Sequence, residues 1–194
     1  MRFKQYLNEK ELSKEEILAL IEKGCKPFLR DWRKLKIDKF LLSGRDDNDF
    51  FAKKQVRKDR KPMDTPLHSH KLMDDWFHEK FGVRSRSNAV FCSFNKEIAS
   101  FYGYAFLIFP IGNYKAVSSK TIGDLYSLIY ADASAIRKKK YSEEELQQEI
   151  IKAMGKGQYT NKLSYHMNEI MVTCKEYYMV GYSLTDYLLE NLKG

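Results

Sequence analysis

The chain has 194 residues, which suits one domain with an apolar core that needs no disulfide or metal to fold. Its three cysteines are far apart, and the opening segment MRFKQYLNEK contains no apolar stretch like that of a signal peptide, so we expect a cytoplasmic protein. The longest apolar run, Tyr104 to Ile111, is too short to cross a bilayer. We therefore expect no membrane partner.

The formal net charge of +8 favours association with polyanions, because lysine and arginine contacts release counterions. The basic residues concentrate between Lys26 and Lys61 and again between Arg137 and Lys140. Such runs are most often solvated surfaces. They also fit a groove for nucleic acid or for the diphosphate of a dinucleotide, so the charge leaves the polyanion open.

Two helices are predicted at the start of the chain. Ser13 and Glu16 form a capping-box pattern, and Gly24 ends the apolar helix that follows. A second helix is predicted from Pro27 to Leu35, since proline suits a first helical turn. We interpret residues 1–36 as an amino-terminal helical extension and residues 37–194 as the main domain.

The pattern then changes to short apolar runs. Phe40 to Leu42 predicts a core strand that delivers Arg45 at its end. Residues 46–65 are polar and aperiodic, and they are predicted to form a long loop, which in a compact domain is usually functional or mobile. Pro66 to Phe81 has a helical pattern closed by Gly82, with core candidates at Leu67, Leu72, Trp76 and Phe77.

In the second half of the chain, the sequence predicts more strands than helices. The predicted strands are Asn88–Ser93, Ala105–Phe109, Tyr114–Val117, Glu169–Thr173 and Tyr177–Tyr182. A turn at Pro110 separates the second from the third, and the last two form a hairpin. The predicted helices are Asn95–Phe101, Thr121–Lys140, one beginning at the capping box of Ser142, and one beginning at Leu184.

The fold class predicted by this order is α+β, with two small, packed, largely antiparallel sheets flanked by helices. Seven apolar residues of the predicted strands are expected in the core, namely Leu41, Val90, Leu107, Ile108, Ile170, Val172 and Met179. A mostly helical structure that exposes these residues would contradict the prediction.

Three stretches carry a resemblance to a known family: Phe40-Leu-Leu-Ser-Gly-Arg45, Val90-Phe-Cys-Ser-Phe-Asn-Lys-Glu-Ile-Ala-Ser-Phe-Tyr-Gly103 and Asn168-Glu-Ile-Met-Val172. Their order and rough spacing resemble the arginine, serine and glutamate branch of the ADP-ribosyltransferase fold, of phage or bacterial type. In that family the motifs are a strand-end arginine, a strand-end serine and a glutamate at the head of a strand. The resemblance identifies residues 37–194 as an ADP-ribosyltransferase-like catalytic domain.

The resemblance implies a mono-ADP-ribosyltransferase that uses NAD as co-substrate and modifies a macromolecular acceptor, either protein or nucleic acid. Glu169 would stabilise the positive charge that develops on the ribose as nicotinamide leaves. Arg45 would hold the phosphates or the adjacent ribose, and Ser93 would orient the carboxylate. An aromatic ring would lie against nicotinamide, for which Tyr102 is preferred to Phe101 and Tyr104.

One departure from the family pattern bears on the acceptor. Members that modify arginine usually carry Glu or Gln two residues before the catalytic Glu, and this chain has Met167 there. We therefore expect an acceptor other than arginine. His166 and Asn168 flank this position and are candidates to contact a nucleobase, another side chain or water.

Each site residue also has an ordinary structural explanation. Arg45 would pair with Asp46, Asp47 or Asp49; Ser93 would cap the following helix; and Glu169 would face solvent at a strand edge. The aromatic run Phe101, Tyr102 and Tyr104 would fill the core, as aromatic residues usually do.

Two further functions are open on the sequence alone. His70, Asp74 and His78 recur at steps of four and could offer a metal site, although the exposed face of an amphipathic helix explains them equally well, and we assign no metal. The basic stretches alternatively suit a non-catalytic nucleic-acid-binding protein. The sequence does not indicate an oligomeric state.

Overall fold

The computed structural model describes residues 12–47, 49–60, 65–123, 142–166 and 168–193. The helices in this part of the chain are α1 (Lys14–Gly24), α2 (Lys26–Leu35), α3 (Leu67–Phe81), α4 (Lys96–Ser100), α5 (Glu143–Lys156) and α6 (Thr185–Leu192). The strands are β1 (Leu42–Arg45), β2 (Phe51–Gln55), β3 (Val90–Cys92), β4 (Tyr104–Ser119), β5 (Tyr159–Thr160) and β6 (Ile170–Gly181). The predicted α+β class is confirmed.

Two long antiparallel strands, β4 and β6, form the centre of the sheet and pair from Phe106 opposite Gly181 to Ser118 opposite Ile170. At one end of this pair, β1 lies beside β4 and β2 lies beside β6. At the other end, β5 lies beside β4 and β3 lies beside β6. The described strands thus belong to one hydrogen-bonded sheet, where two separate sheets were predicted.

The flanks of this sheet meet. Leu42 of β1 and Ser93, directly after β3, exchange two backbone hydrogen bonds of 2.8 Å each. Because β1 and β3 lie on opposite sides of the central pair, this bridge requires the sheet to curl until its two flanks touch. The end of β3 is thereby held against β1.

Both central strands are longer than the sequence predicted. The predicted turn at Pro110 is wrong, because β4 continues through it with a register shift between Ile111 and Tyr114 that Gly112 accommodates at a φ of 67°. The predicted hairpin between Glu169 and Tyr182 is also wrong, because β6 is one strand. In both cases the continuous pairing of β4 with β6 outweighs the local turn signal.

The predicted long loop at 46–65 contains the strand β2, which the sequence did not indicate. β2 is polar because it pairs with β6 on one side only and lies at the edge of the described sheet. Its lysines bind carboxylates at this edge: Lys53 lies 3.0 Å from Glu176, and Lys54 lies 2.9 Å from Asp47. Residues 61–64 of the predicted loop lie outside the described residues.

The predicted core is confirmed. All seven of its residues, Leu41, Val90, Leu107, Ile108, Ile170, Val172 and Met179, are buried. They share one apolar cluster with α1, α2 and α6, so the first two helices pack directly on the sheet. Phe28 of α2 shows this contact, since its ring meets that of Phe109 in β4 edge-on, with ring centres 5.9 Å apart.

A second apolar cluster packs α3 and α5 against the sheet around Phe77, Met154, Val117 and Met171. Val117 and Met171 alternate along their strands with residues of the first cluster, as a pleated strand requires. Leu67, predicted in the core, is exposed because it begins α3.

The predicted helix ends agree with the structure. Ser13 and Ser142 both form complete capping boxes with the glutamates three residues later, and Gly82 ends α3 in the left-handed conformation. Most of the helix predicted over Thr121–Lys140 lies outside the described residues. Within the described part of the chain, no helix is long and apolar enough to cross a membrane.

Gly44 in β1 provides a test of this packing. A Cβ at this position would clash with the carbonyl oxygen of Ala99 in α4 and would lie 2.9 Å from the backbone carbon of Tyr102. We expect Gly44→Ala to lower the free energy of unfolding by about 1–3 kcal/mol, as overpacking does. Urea denaturation followed by circular dichroism measures this change.

The matched control is Gly155→Ala in α5, where a Cβ would meet nothing within 4 Å. Alanine is the better helix former, so this variant should be neutral or more stable by about 0.5–1 kcal/mol. Equal stability of Gly44→Ala and the wild type would show that β1 and α4 are not in close contact.

Candidate active site

The three residues singled out by the motifs lie at the ends of neighbouring strands. Arg45 is the last residue of β1, Ser93 follows β3, and Glu169 precedes β6. The last pair of the β3–β6 ladder is Cys92 opposite Ile170, so the next step of this register places Ser93 opposite Glu169. The bridge from Ser93 to Leu42 joins this end of β3 to β1.

Ser93 is buried, and its hydroxyl oxygen accepts a hydrogen bond of 3.0 Å from the backbone N–H of Asn95. The cap of α4 is Asn95, whose side chain accepts from Glu97 N at 2.9 Å. The expectation that Ser93 caps the helix is therefore wrong. Ser93 instead shapes the turn by which the chain leaves β3.

Glu169 lies at the head of a central strand, with 23% of its side chain exposed. Its backbone N–H donates to Gly123 O at 3.0 Å, and its Oε1 lies 3.8 Å from a terminal guanidinium nitrogen of Arg86. Glu169 is thus a partly buried carboxylate with a cation beside it, and the expectation of a solvent-facing edge residue is wrong.

The segment before Glu169 is fixed to the end of β4. Asn168 Nδ2 donates to Ser119 O at 2.9 Å, and Asn168 N donates to His166 Nδ1 at 3.3 Å. His166 Nε2 lies 2.8 Å from Ser118 Oγ. Burial, followed by the charge of Lys120, lowers the pKa of His166, which agrees with a neutral ring that accepts at Nδ1 and donates from Nε2.

The contact of His166 and Asn168 with an acceptor stays a prediction, and the structure shows a further role for both. Both side chains are used to hold the backbone that leads into Glu169. The structure thus gives them a positioning role. Met167, between them, lies outside the described residues.

Arg86 and Arg60 both interact electrostatically with Glu169. Burial lowers the pKa of Arg60, the Glu169 carboxylate opposes this shift, and the charges of Arg86, Arg45 and Arg57 add to it. Arg45, Arg86 and Glu169 therefore each lie within electrostatic reach of Arg60. We call these four residues the arginine cluster.

Arg45 lies in this cluster and not in the ion pairs expected of a loop arginine. Among the described residues, Asp47 and Asp49 pair with Lys54 at 2.9 and 3.3 Å, and no ion pair joins either of them to Arg45. The Nε of Arg45 is buried and has no hydrogen-bond partner in the described part of the chain.

The turn that carries Arg86 is held by α3. Asp74 Oδ1 accepts from the backbone N–H of Arg86 at 2.8 Å and of Ser87 at 3.2 Å, and Asp74 Oδ2 accepts from Ser87 Oγ at 2.6 Å. His70 Nε2 lies 3.2 Å from the same hydroxyl. Burial lowers the pKa of His70, and the charge of Arg86 adds to this shift.

The sequence offered two explanations for His70, Asp74 and His78, a metal site and an exposed helix face, and this network differs from both. His70 and Asp74 are buried, so they are not an exposed helix face, whereas His78 is exposed. In the described ranges, no group of three or more His, Cys, Asp and Glu side chains is placed to hold a metal ion.

The aromatic run after α4 lies on the surface. Phe101, Tyr102 and Tyr104 are 83%, 70% and 71% exposed, so the expectation that they fill the core is wrong. Tyr102 lies against Gly44, directly before Arg45. Tyr104 lines a cavity of about 670 Å³ together with Asp46, Lys96 and Tyr182.

Arg86 and Tyr159 are site residues that the sequence did not single out. Arg86 stands in a basic tripeptide that resembles any surface turn, and only the buried Asp74 shows that the turn is internal. The Tyr159 hydroxyl is buried without a hydrogen-bond partner among the described residues. Burial raises its pKa, and the charge of Glu169 adds to the effect.

No protein-family model, no curated protein and no solved structure matches the chain. Chemically, the site combines several cations with one carboxylate in a partly desolvated place. Such an arrangement can bind an anionic substrate and stabilise a positive charge that forms next to it.

The support of the site by α3 is open to a direct test. Asp74→Ala leaves three donors without their acceptor, so we expect a loss of about 3 kcal/mol in the free energy of unfolding. Asp75→Ala is the matched control, since Asp75 is partly exposed and pairs only with Arg84 among the described residues. It should change stability by less than about 0.5 kcal/mol.

Chemical denaturation of both variants under the same conditions makes the comparison. If Asp74→Ala were as stable as Asp75→Ala, α3 would not hold the turn that carries Arg86.

Proposed function

We propose that the chain is a mono-ADP-ribosyltransferase that cleaves NAD and transfers ADP-ribose to a protein or nucleic-acid acceptor. The observation that carries this proposal is the position of Glu169 at the head of the central strand β6, with Arg86 3.8 Å away and Arg60 within electrostatic reach. The resemblance of the three motifs adds support, as does the neighbouring position of their strands. That this α+β fold is specifically the ADP-ribosyltransferase fold is part of the same proposal.

Glu169 is the catalytic residue in this proposal. Cleavage of the bond between nicotinamide and ribose develops positive charge on the sugar, and a nearby carboxylate stabilises that charge in the transition state. The partial burial of Glu169 strengthens this effect, because water screens the interaction less. The bonds of His166 and Asn168 to β4 fix the backbone from which the carboxylate projects.

Arg45 binds NAD in this proposal. Its buried Nε is a donor without a partner in the described residues, which fits an oxygen of the phosphates or of the adjacent ribose. Ser93 stands opposite Glu169 in the extended β3–β6 register and orients it. The exposed ring of Tyr102, beside β1, offers a face for the nicotinamide ring.

Substitution of Glu169 tests the chemistry. Glu169→Gln keeps the shape of the side chain and removes its charge, so kcat should fall on the order of a hundredfold, or roughly 3 kcal/mol, with little change in NAD affinity. Release of nicotinamide from NAD measures the rate, and titration calorimetry measures the affinity. Each variant is first shown to unfold cooperatively near the wild-type temperature.

Glu176→Gln is the matched control, because Glu176 lies on the same strand and pairs with Lys53 at the sheet edge. This variant should keep wild-type turnover. Equal turnover in Glu169→Gln and the wild type would remove Glu169 from the mechanism.

Arg45→Ala should behave differently from Glu169→Gln. Arg45 would contact NAD already in the ground state, so its loss should raise KM at least as much as it lowers kcat. Arg30→Ala, on the exposed surface of α2, controls for the loss of one positive charge. An unchanged KM for NAD in Arg45→Ala would contradict its binding role.

A non-catalytic nucleic-acid-binding protein is the alternative outcome of these experiments. Such a protein would show neither nicotinamide release nor a rise in melting temperature with NAD, but would bind nucleic acid with a steep salt dependence.

A further inference from the structure

The aromatic ring of Phe91 on β3 organises two arginines of the cluster. The guanidinium carbon of Arg60 lies 3.8 Å from the centre of this ring, and that of Arg86 lies 5.3 Å from it. A guanidinium stacked on a ring keeps its N–H donors in the plane of the group, where they are available to another partner. Phe91 therefore holds two planar donor groups close together.

Both arginines are also fixed through their backbones. Arg60 N donates to Ser87 O at 3.2 Å, and the Arg86–Ser87 turn is bound to Asp74. The segment after β2 and the turn before β3 are thus tied together at the site. This arrangement brings the two positive charges together in spite of their mutual repulsion. The charge of Arg86 contributes to the lowered pKa of Arg60, for which burial is the largest cause.

Among the described residues, Arg60 and Arg86 outnumber the carboxylate beside them, which is that of Glu169. Only 7% of the Arg86 side chain is exposed, and its contact with Glu169, at 3.8 Å, is longer than a hydrogen bond. The Nε atoms of Arg86 and Arg45 are both buried and without hydrogen-bond partners among the described residues. Buried donors of this kind are costly unless an acceptor is supplied.

We infer that Arg60 and Arg86, on the platform of Phe91, form a binding site for a diphosphate group. A diphosphate carries two negative charges as a diester, and its oxygens accept from the guanidinium fork with the geometry that arginine favours. The identification of NAD as the source of this group rests on the proposed function. Free pyrophosphate has the same chemistry and is the other source.

The test measures the affinity of the purified chain for ADP-ribose, inorganic pyrophosphate and nicotinamide riboside. Arg60→Ala should weaken binding of ADP-ribose and pyrophosphate at least tenfold and leave nicotinamide riboside, which has no phosphate, unchanged. Arg86→Lys keeps the charge of a buried residue and removes its fork, so it should produce a smaller loss in the same two ligands. Arg30→Ala is the control, because Arg30 lies on the exposed surface of α2, where it pairs with Asp31. This variant should bind all three ligands as the wild type does.

The outcomes separate this inference from the proposed function. Nicotinamide release by the wild type, combined with unchanged ADP-ribose affinity in Arg60→Ala, would overturn the diphosphate site and leave the enzyme intact. Binding of pyrophosphate that depends on Arg60, without any NAD turnover, would support the diphosphate site and contradict the proposed enzyme. Wild-type binding of pyrophosphate but not of ADP-ribose would overturn NAD as the source.

Discussion

The pair of hydrogen bonds between Leu42 and Ser93 is the constraint on which the rest of the site depends. Without it, β1 and β3 would be held only by different central strands, on opposite sides of the sheet. The bridge converts two distant flanks into neighbours. It therefore brings the end of β3, which lies beside the start of β6, against the strand that ends at Arg45.

The close approach of α4 to β1 supports that bridge. Ser93 lies between β3 and α4 in the chain, and its hydroxyl oxygen accepts from the backbone N–H of Asn95, the N-cap of α4. Gly44 then admits Ala99 and Tyr102 at a distance that no larger residue allows. The serine and glycine of the motifs thus have local structural reasons that are independent of any ligand and compatible with one.

The features that depend on residues close together in the chain were predicted most accurately from the sequence. The capping boxes at Ser13 and Ser142, the end of α3 at Gly82 and the buried apolar runs follow from local propensity and periodicity. The prediction failed at Pro110 and in the middle of β6, where turn-like residues lie within continuous strands. Pairing between two long strands outweighs a local turn preference. A short stretch of sequence around one strand does not include the strand with which it pairs.

The candidate site divides in the same way. Arg45, Ser93 and Glu169 were singled out because each stands at the end of a predicted strand, which is a local signal. Arg86 was missed because its burial depends on Asp74, twelve residues earlier on a helix whose polar face had been taken as exposed. A buried charge is recognised only when the elements that cover it are placed.

Under the proposed function, the excess of arginine beside Glu169 has a catalytic consequence. Among the described residues, Arg60 and Arg86 outnumber the Glu169 carboxylate beside them. The resulting excess of positive charge would oppose the positive charge that develops on a ribose. A diphosphate bound to these arginines would offset that excess, so that the Glu169 carboxylate would act on the sugar against a smaller opposing charge. Binding of the dinucleotide would thus lower the positive electrostatic potential at the site before its glycosidic bond breaks. A substrate without the diphosphate would therefore have a lower kcat as well as a weaker affinity.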